Sequence, residues 1–589
     1  MGSLQEFVAE LKRRRVFRAL VGWGVVSFAV LQVYEPVMHG LHLPEWTLSF
    51  VVVILGLGFP ATAVLSWLFD LKATGIERTV PAGTGKGTRA PWAAKLRLPA
   101  LLLGLGVAAA APGFVYFFVW PATGRRAAEA TAGAQGGPSI AVLPFVNLSS
   151  DKEQEYFSDG VAEEILNALA QVDGLRVIGR TSSFAMKGKN EDLRSIARQL
   201  NVGHLLEGSV RRAGTRVRIT AQLIEAAAGT HLWSQEFDGD VGDTFAVQET
   251  IANAVVAALR LKLLPPAKRD SRGVNGEAHD QYLLGVTSLA EGSGEGYGRA
   301  VEALQRAVGL DPNYAQAWAA LASALYLAAD QSATWDPKVE WPKARAAAEK
   351  AIALAPDRAD GYAARALLRQ NLLWDWPGAR SDMERARALN PGTPGLLEEY
   401  GALLTTLGRL PEAVGALQQA ALLDPLSAEL PTLLAIAYLG GGEFSLAEAA
   451  ARHGLELSPE HGRAARTLGF ALLLQNRAGE ARAAFQRSSN EFFRTMGDAL
   501  VEHSLGHAAA SQRALDFILA QPYVRKASYQ VAQIYAWRGQ ADLAFEWLGH
   551  ALEARDPGLT HLKHDPVLRS LRGDPRYAAL LRELNLPEG

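Results

Sequence analysis

The spacing of apolar positions changes three times along this chain. Over the first 120 residues they run unbroken: Val16 to about Met38, Trp46 to Phe69, and Leu98 to Trp120. The second stretch carries no charge after Glu45 and the third none at all. Both exceed the roughly 20 residues that cross a hydrocarbon core of about 30 Å. The first has Arg18 near its start and Glu35 near its end, compatible with a span if Arg18 snorkels and Glu35 is interfacial. No small-residue cleavage site follows it, as a signal peptide would require. The pattern predicts three transmembrane helices over 16–120, after a short N-terminal segment 1–15. Residues 121–137 are Gly/Ala-rich and read as a flexible linker.

At Ser139 the rhythm shortens. Ile140-Ala-Val-Leu-Pro-Phe145 is a short apolar strand, Ser158-Asp159-Gly160 offers N-cap residues before the amphipathic run Val161 to Gln171, and Leu193 to Leu200 is helical. His204 to Arg212, Arg216 to Glu225 and His231 to Phe237 predict a three-strand meander. Arg218, Thr220 and Gln222 alternate with Ile219, Ala221 and Leu223, which gives it one wet face. A long helix from Thr244 to Leu263 ends at Pro265-Pro266, so 138–265 is expected to be one α/β domain. From about residue 279 the chain repeats. Asp311-Pro312, Ala355-Pro356, Asn390-Pro391, Asp424-Pro425 and Ser458-Pro459 close successive units, at Pro-to-Pro steps of 44, 35, 34 and 34. Two helices per 34 residues is the tetratricopeptide (TPR) signature. The ten extra residues of the first step sit around Asp330 to Glu340. An all-α TPR solenoid over 279–556, closed by capping helices over 557–589, completes a multi-domain fold class: N-terminal transmembrane α-helices, an α/β domain and the solenoid.

Charge then assigns sides. Lys12, Arg13, Arg14, Arg15 and Arg18 precede the first apolar stretch. The 70–97 loop carries Lys72, Arg78, Lys86, Arg89, Lys95 and Arg97, whereas the Gly40 to Glu45 turn has no Lys or Arg. Both basic segments are expected in the cytoplasm. The reading is a multi-pass bacterial inner-membrane protein with its C-terminal soluble region in the periplasm. The chain has no cysteine, which is compatible with either compartment. Gly104, Gly106 and Gly113 allow close helix approach and so a homo-oligomer through the membrane helices. With 59 basic and 61 acidic residues there is no electrostatic case for nucleic acid.

Candidate chemistry is sparse. Pro81-Ala-Gly-Thr-Gly-Lys-Gly-Thr88 lacks the Gly and the Ser/Thr of a phosphate loop, and no strand precedes it. His503 and His507, four apart beside Glu502, and His561 with His564 and Asp565 have no evident third ligand. No catalytic residue, cofactor or metal is expected, and the chain is read as no enzyme. Trp335, Trp341, Trp374 and Trp376 cluster near repeat turns. They are the candidate partner-binding residues, because amphipathic rings beside a groove anchor partners; packing between helices is the alternative, which Trp374-Asp-Trp-Pro377 favours.

Ile140-Ala-Val-Leu-Pro-Phe145, Tyr156-Phe-Ser-Asp-Gly160, Leu206-Glu-Gly-Ser-Val210, Thr220-Ala-Gln-Leu223 and Leu232-Trp-Ser234 together resemble the TolB-like amino-terminal domain, related to FlgO-type proteins. The resemblance implies a small α/β fold used in envelope assemblies and supplies no catalytic residue. The β-propeller that follows in TolB itself has no counterpart here. The expectation is a membrane-anchored scaffold or adaptor. It would bind an extended peptide or helix of protein partners through its repeat groove and its TolB-like domain. The alternative is a sensor or signalling subunit relaying periplasmic state to a cytoplasmic partner, because similar domain pairs follow winged-helix or nucleotide-cyclase domains.

Overall fold

The computed structural model describes residues 138–259 and 275–587, apart from 173, 190, 241–243 and 332–334. Of the first 137 residues it describes Trp23, Val26, Ser27, Val30, Leu55, Thr62, 69–72 and 75–78. The chain divides into two compact units, Met1–Gly136 and Gly137–Gly589. In the first, strand β1 (Phe69–Lys72) pairs antiparallel with β2 (Gly75–Arg78), and the Trp23 indole N–H donates to the Leu55 carbonyl at 3.0 Å.

The expected membrane spans lie almost wholly outside the described residues. Among the described residues no helix is long and apolar enough to cross a membrane. The multi-pass fold class and the inner-membrane, periplasmic localisation are corrected on that finding, and with them the expected membrane embedding and its oligomer. What stands is a mostly helical repeat array with a small sheet-containing domain. An apolar run of sufficient length is necessary for a span but does not itself make a continuous helix. Here Phe69–Lys72, at the end of the second run, and Gly75–Arg78, in the expected basic loop, pair as antiparallel strands.

In the second unit, β3 (Ser139–Val142) lies between β5 (Arg176–Val177) and β6 (His204–Ala213), parallel to both. The short β4 (Val146–Asn147) continues alongside β6. β6, β7 (Arg216–Glu225) and β8 (Thr230–Asp240) form the antiparallel meander. Both hairpin turns place a glycine in the left-handed region, Gly214 at φ 62° and Gly229 at φ 68°, where other residues are strained. β3 is apolar throughout because both of its faces are covered. Ile140 and Val142 pack under α1 (Glu155–Leu169) and α4 (Thr244–Ala258). Ala141 and Leu143 pack on the opposite side against α3 (Leu193–Leu200). In β7, Val217, Ile219, Ala221 and Leu223 are buried and Arg218 is exposed. Helix α1 begins at Glu155, three residues before the expected cap, and Ser158, Asp159 and Gly160 are buried within it. Asp159 does not cap because its carboxylate pairs with Lys187 at 2.6 Å, three residues beyond α2 (Arg180–Phe184).

Eight helix pairs follow among the described residues: α5 (Gly276–Ala290) with α6 (Gly294–Leu310), α7 (Ala315–Gln331) with α8 (Pro337–Leu354), α9 (Ala359–Leu368) with α10 (Trp376–Leu389), α11 (Pro394–Thr406) with α12 (Leu410–Leu423), α13 (Glu429–Gly440) with α14 (Phe444–Leu457), α15 (Gly462–Leu474) with α16 (Ala478–Gln486), α17 (Glu491–Ser504) with α18 (Ala508–Leu519), and α19 (Ser528–Trp537) with α20 (Ala541–Ala554). Successive pairs stack through their first helices, as in a TPR array. The long first step lengthens α7 and α8 to 17 and 18 residues. Small residues set the closest approaches. A Cβ on Gly401 would lie 2.6 Å from Leu417 Cγ, and one on Gly469 would lie 2.6 Å from Phe485 Cε2. Two 3-10 turns, Pro557–His561 and Pro566–Leu571, and helix α21 (Pro575–Glu583) end the chain.

Candidate functional site

The four expected tryptophans do not form one groove. Trp335 is half-buried against the core of α6–α8. Trp341, in α8, packs on the same core. Trp374 follows a π-helical turn, Arg369–Leu373, that widens the end of α9, and it takes φ 51°. Trp376, at the start of α10, is 2% exposed, and its indole N–H donates to the Leu584 carbonyl at 2.6 Å. Trp341 and Trp374 line one cavity. With Tyr326, Asp330 and Asn371 they face Arg555 and Thr560 across a cavity with room for about one water. The Trp341 indole N–H has no acceptor among the described residues.

The chain's own C-terminal segment closes this side. The Arg555 guanidinium lies 4.8 Å from the Trp374 ring centre and donates to the Leu372 carbonyl. Leu559, Leu562, Leu568, Leu571, Leu581 and Leu584 are buried in the same core as Leu403, Leu404 and Leu439 of the array. Asp565, buried, accepts from the Tyr529 hydroxyl at 2.8 Å and from Gln533 at 2.6 Å. His561 and His564 face each other within this core at 3.2 Å, and burial holds both below the usual histidine range. They are packing residues. His507 instead pairs with Glu502 at 2.7 Å. Among the described residues no three metal-ligating side chains converge. The contribution of this tail was visible in the sequence as the apolar pairs Leu559/Leu562 and Leu568/Leu571, each behind an Asp-Pro start.

A second seam joins the α/β domain to the array. Asp280 of α5 accepts from Arg212 Nη1 at 2.7 Å, from Arg212 Nη2 at 3.2 Å, and from the Tyr156 hydroxyl at 2.9 Å. Leu283 fills the notch over Gly160, where a Cβ would meet its Cδ2 at 2.7 Å. At the far side Asp424, between α12 and α13, accepts from the Ser182 amide at 2.7 Å and from the Ser182 hydroxyl. The Leu426 amide donates to that hydroxyl at 2.8 Å, and the Gly179 amide donates to the Leu423 carbonyl at 2.6 Å. Between these anchors His279 (1% exposed) contacts the Tyr314 hydroxyl at 3.1 Å and Glu164 at 3.5 Å. Burial lowers its ring to about 3, so it is neutral.

The first-helix side carries a cluster of carboxyls, Glu398, Glu399 and Glu429. Burial, reinforced by Glu429, Glu399 and Asp424, pushes the Glu398 carboxyl up to about 8; burial pushes Glu399 up to about 7. A carboxyl raised by folding contributes stability that is present below its unfolded value, about 4.3, and lost as pH rises through the folded one. Glu398→Gln should therefore unfold at the same temperature as the parent near about pH 4 and gain about 1–3 kcal/mol by about pH 9, after allowance for screening at a partly exposed site. Thermal unfolding across that range checks this; a constant difference would refute the assignment.

An α/β domain fixed along a TPR-type array defines the class of this protein, a two-part molecule built around helical repeats. Comparison with known proteins adds two likenesses within it. Residues 136–254 match the family model of the second domain of HilA/YgeH-like transcriptional regulators, a description different from the TolB-like one suggested by the motifs. The chain is 42% identical over 216 residues to a protein of Rhizobium meliloti (strain 1021) named putative adenylate cyclase 3. The match covers 35% of this chain and 37% of that relative. Solved structures similar to part of the array include PilW, a type IV pilus biogenesis factor (19% identity, 36% of this chain and 97% of that one, TM-score 0.31). Another is YrrB, a TPR protein with an unusual peptide-binding site (17% identity, 37% and 100%, TM-score 0.26).

Proposed function

We propose that the chain is a protein-binding scaffold that works without a catalytic centre of its own. Its repeat array would receive an extended or helical segment of a partner on the first-helix side, and its α/β domain would hold a fixed position beside that surface. The observation that carries this reading is the seam itself. Asp280 and Asp424, on different repeats, grip Arg212, Tyr156 and Ser182 of the same α/β domain. One module thus supplies a repeat surface and a second docking surface in a fixed register, so a partner touching both loses less freedom on binding. The TolB-like resemblance fits such a role. In the full chain, Glu399→Lys on the first-helix side should reduce partner recovery after crosslinking in the source cells while leaving thermal stability near that of the parent. Unchanged recovery of the same partners would exclude that face.

A second reading, a sensor or signalling subunit, is favoured by the two likenesses: one relative is named a putative adenylate cyclase, and the family model describes part of a transcriptional regulator. Under it, the recovered partner would itself be a nucleotide cyclase or a transcriptional regulator.

A further inference from the structure

Strand β8 (Thr230–Asp240) closes the sheet on one side. The strand order is β5-β3-β6-β7-β8, and among the described strands β8 pairs with β7 alone. It runs 11 residues, where strands usually run about 5–6. Leu232 is 44% exposed, Ser234, Gln235, Glu236 and Asp238 are exposed, and Trp233 and Phe237 are half-buried. Among the described residues no hydrogen bond outside the β7 ladder engages a backbone group of β8. A long open row of N–H and C=O groups is a template for another strand, and sheets usually blunt it with Pro, Lys, a bulge or a short edge. β8 has no Pro and no Lys. Its register shift lies at its first residues, where Trp233 faces Leu223 and His231 faces Ile224. From Trp233 to Asp240 the edge is regular.

The side chains of β8 suit a second copy of the same strand. Trp233 and Phe237 lie opposite Leu223 and Ile219, on the core side of the sheet, with their rings 6.2 Å apart. Ser234, Glu236 and Asp238 occupy the other face, where Arg218 of β7 pairs with Asp238 at 2.7 Å and with Glu236 at 3.3 Å. A two-fold axis normal to the sheet keeps each face on its own side only if it passes through a residue. Gln235 is the midpoint of β8. An axis there sets Phe237 opposite Trp233 of the partner subunit, twice over, and aromatic pairs of this kind stabilise neighbouring strands. Glu236 then faces Ser234, Asp238 faces Leu232, and no like charges stand opposite. Moving the axis to Glu236 sets that carboxylate against itself, and moving it to Phe237 sets Glu236 against Asp238. Moving it to Ser234 sets Trp233 against Gln235 and loses both aromatic pairs.

We propose that two copies of the chain join edge to edge through β8, antiparallel about Gln235, into one continuous sheet. This contact lies in the α/β domain and is separate from the helix association expected of the first 120 residues. It goes beyond the scaffold reading by putting two repeat arrays in one particle, so a partner with two copies of a docking segment would be held at two points. A contact confined to one strand pair is small beside the about 1,600 Å² of a standard interface, so the dimer forms and dissociates with concentration.

Sedimentation velocity of the full chain between about 1 µM and about 100 µM should show the mass rising from one copy, 63.2 kDa, towards two. Gln235→Lys and Gln235→Glu each place like charges opposite one another on the axis and should weaken association about fivefold. Mixed in equal amounts, they should associate at least as tightly as the parent. The chain has no cysteine, so Gln235→Cys reports the register. Mild oxidation should cross-link it into dimers, and Asp238→Cys, which faces Leu232 of the partner subunit, should stay uncross-linked. All of these positions are exposed, and thermal unfolding near that of the parent checks that the variants fold. A single copy at every concentration, unchanged association of the Lys and Glu variants, no gain on mixing them, or a Gln235→Cys chain that cross-links no better than Asp238→Cys would each overturn the proposal.

Discussion

Replacing Trp376 by Ala should destabilise the array by about 3–5 kcal/mol, the usual cost of removing a buried Trp side chain, and should release the C-terminal segment. Trp376 starts α10 and belongs to the central core, yet its indole N–H is spent on the Leu584 carbonyl, 208 positions away. The Ala variant therefore removes packing and also the acceptor's partner. In hydrogen exchange the amides of 580–586 should lose protection before those of α13 or α15, because units of a repeat array open locally. Trp376→Phe keeps most of the ring but not the donor, and should cost closer to about 1 kcal/mol. If the Ala variant leaves 580–586 as protected as in the parent, the tail is held by its other contacts, such as Tyr577 hydroxyl to Leu562 carbonyl at 2.6 Å, and Trp376 is only a core residue.

That contact also shows where sequence reading stops. The first five helix pairs were legible because each closes with a Pro, at steps that settle to 34, and because Gly401 and Gly469 recur where a helix must meet its neighbour. These are local signals, with the partners Leu417 and Phe485 sixteen residues on. The meander was legible from alternation in Arg218 to Leu223. Trp374 and Trp376 were visible as aromatic residues at a turn, but their partners, Arg555 and Leu584, lie about two hundred residues downstream, and no periodicity links them. The pair first taken as possible anchors is thus largely enclosed by the chain's own tail. Asp159 misled for a related reason. Its type and position suggested an N-cap, but α1 begins earlier at Glu155, so Asp159 lies inside the helix and its carboxylate pairs with Lys187. The pair α17–α18, past the regular run, lacks the closing Pro spacing and was found only when packed. The hydropathy of the first 120 residues marks three apolar runs; hydropathy measures what a segment tolerates, and it does not report the paired strands Phe69–Lys72 and Gly75–Arg78.

Substituting Asp280 and Asp424 together by Ala should free the α/β domain from the array while each part keeps its own core. The two carboxylates act at different repeats. Asp280 answers Arg212 and Tyr156 from α5, and Asp424 answers Ser182 from the loop before α13. Removing Asp280 leaves a partly buried guanidinium unpaired. Removing Asp424 leaves the buried Ser182 amide and hydroxyl without their acceptor, and the hydroxyl's other contact, the Leu426 amide that donates to it, depends on the same loop. Each loss should cost about 2–4 kcal/mol, and because the sites share no partner the costs should be close to additive. Asp424→Asn keeps one acceptor oxygen and should fall between parent and Ala. The apolar contact of Leu283 with Gly160 remains in the double variant, so the seam is expected to open as an equilibrium instead of failing outright. Hydrogen exchange should rise in α1 and in residues 423–430 together, while β3, β6 and β7 stay protected, and small-angle scattering should show a larger radius of gyration. Scattering indistinguishable from the parent, with α1 still protected, would mean that apolar packing alone holds the seam. The fixed register of the two docking surfaces would then owe nothing to these carboxylates. If the seam does open and partner recovery falls with it, the binding role belongs to the two domains held together rather than to the repeats alone.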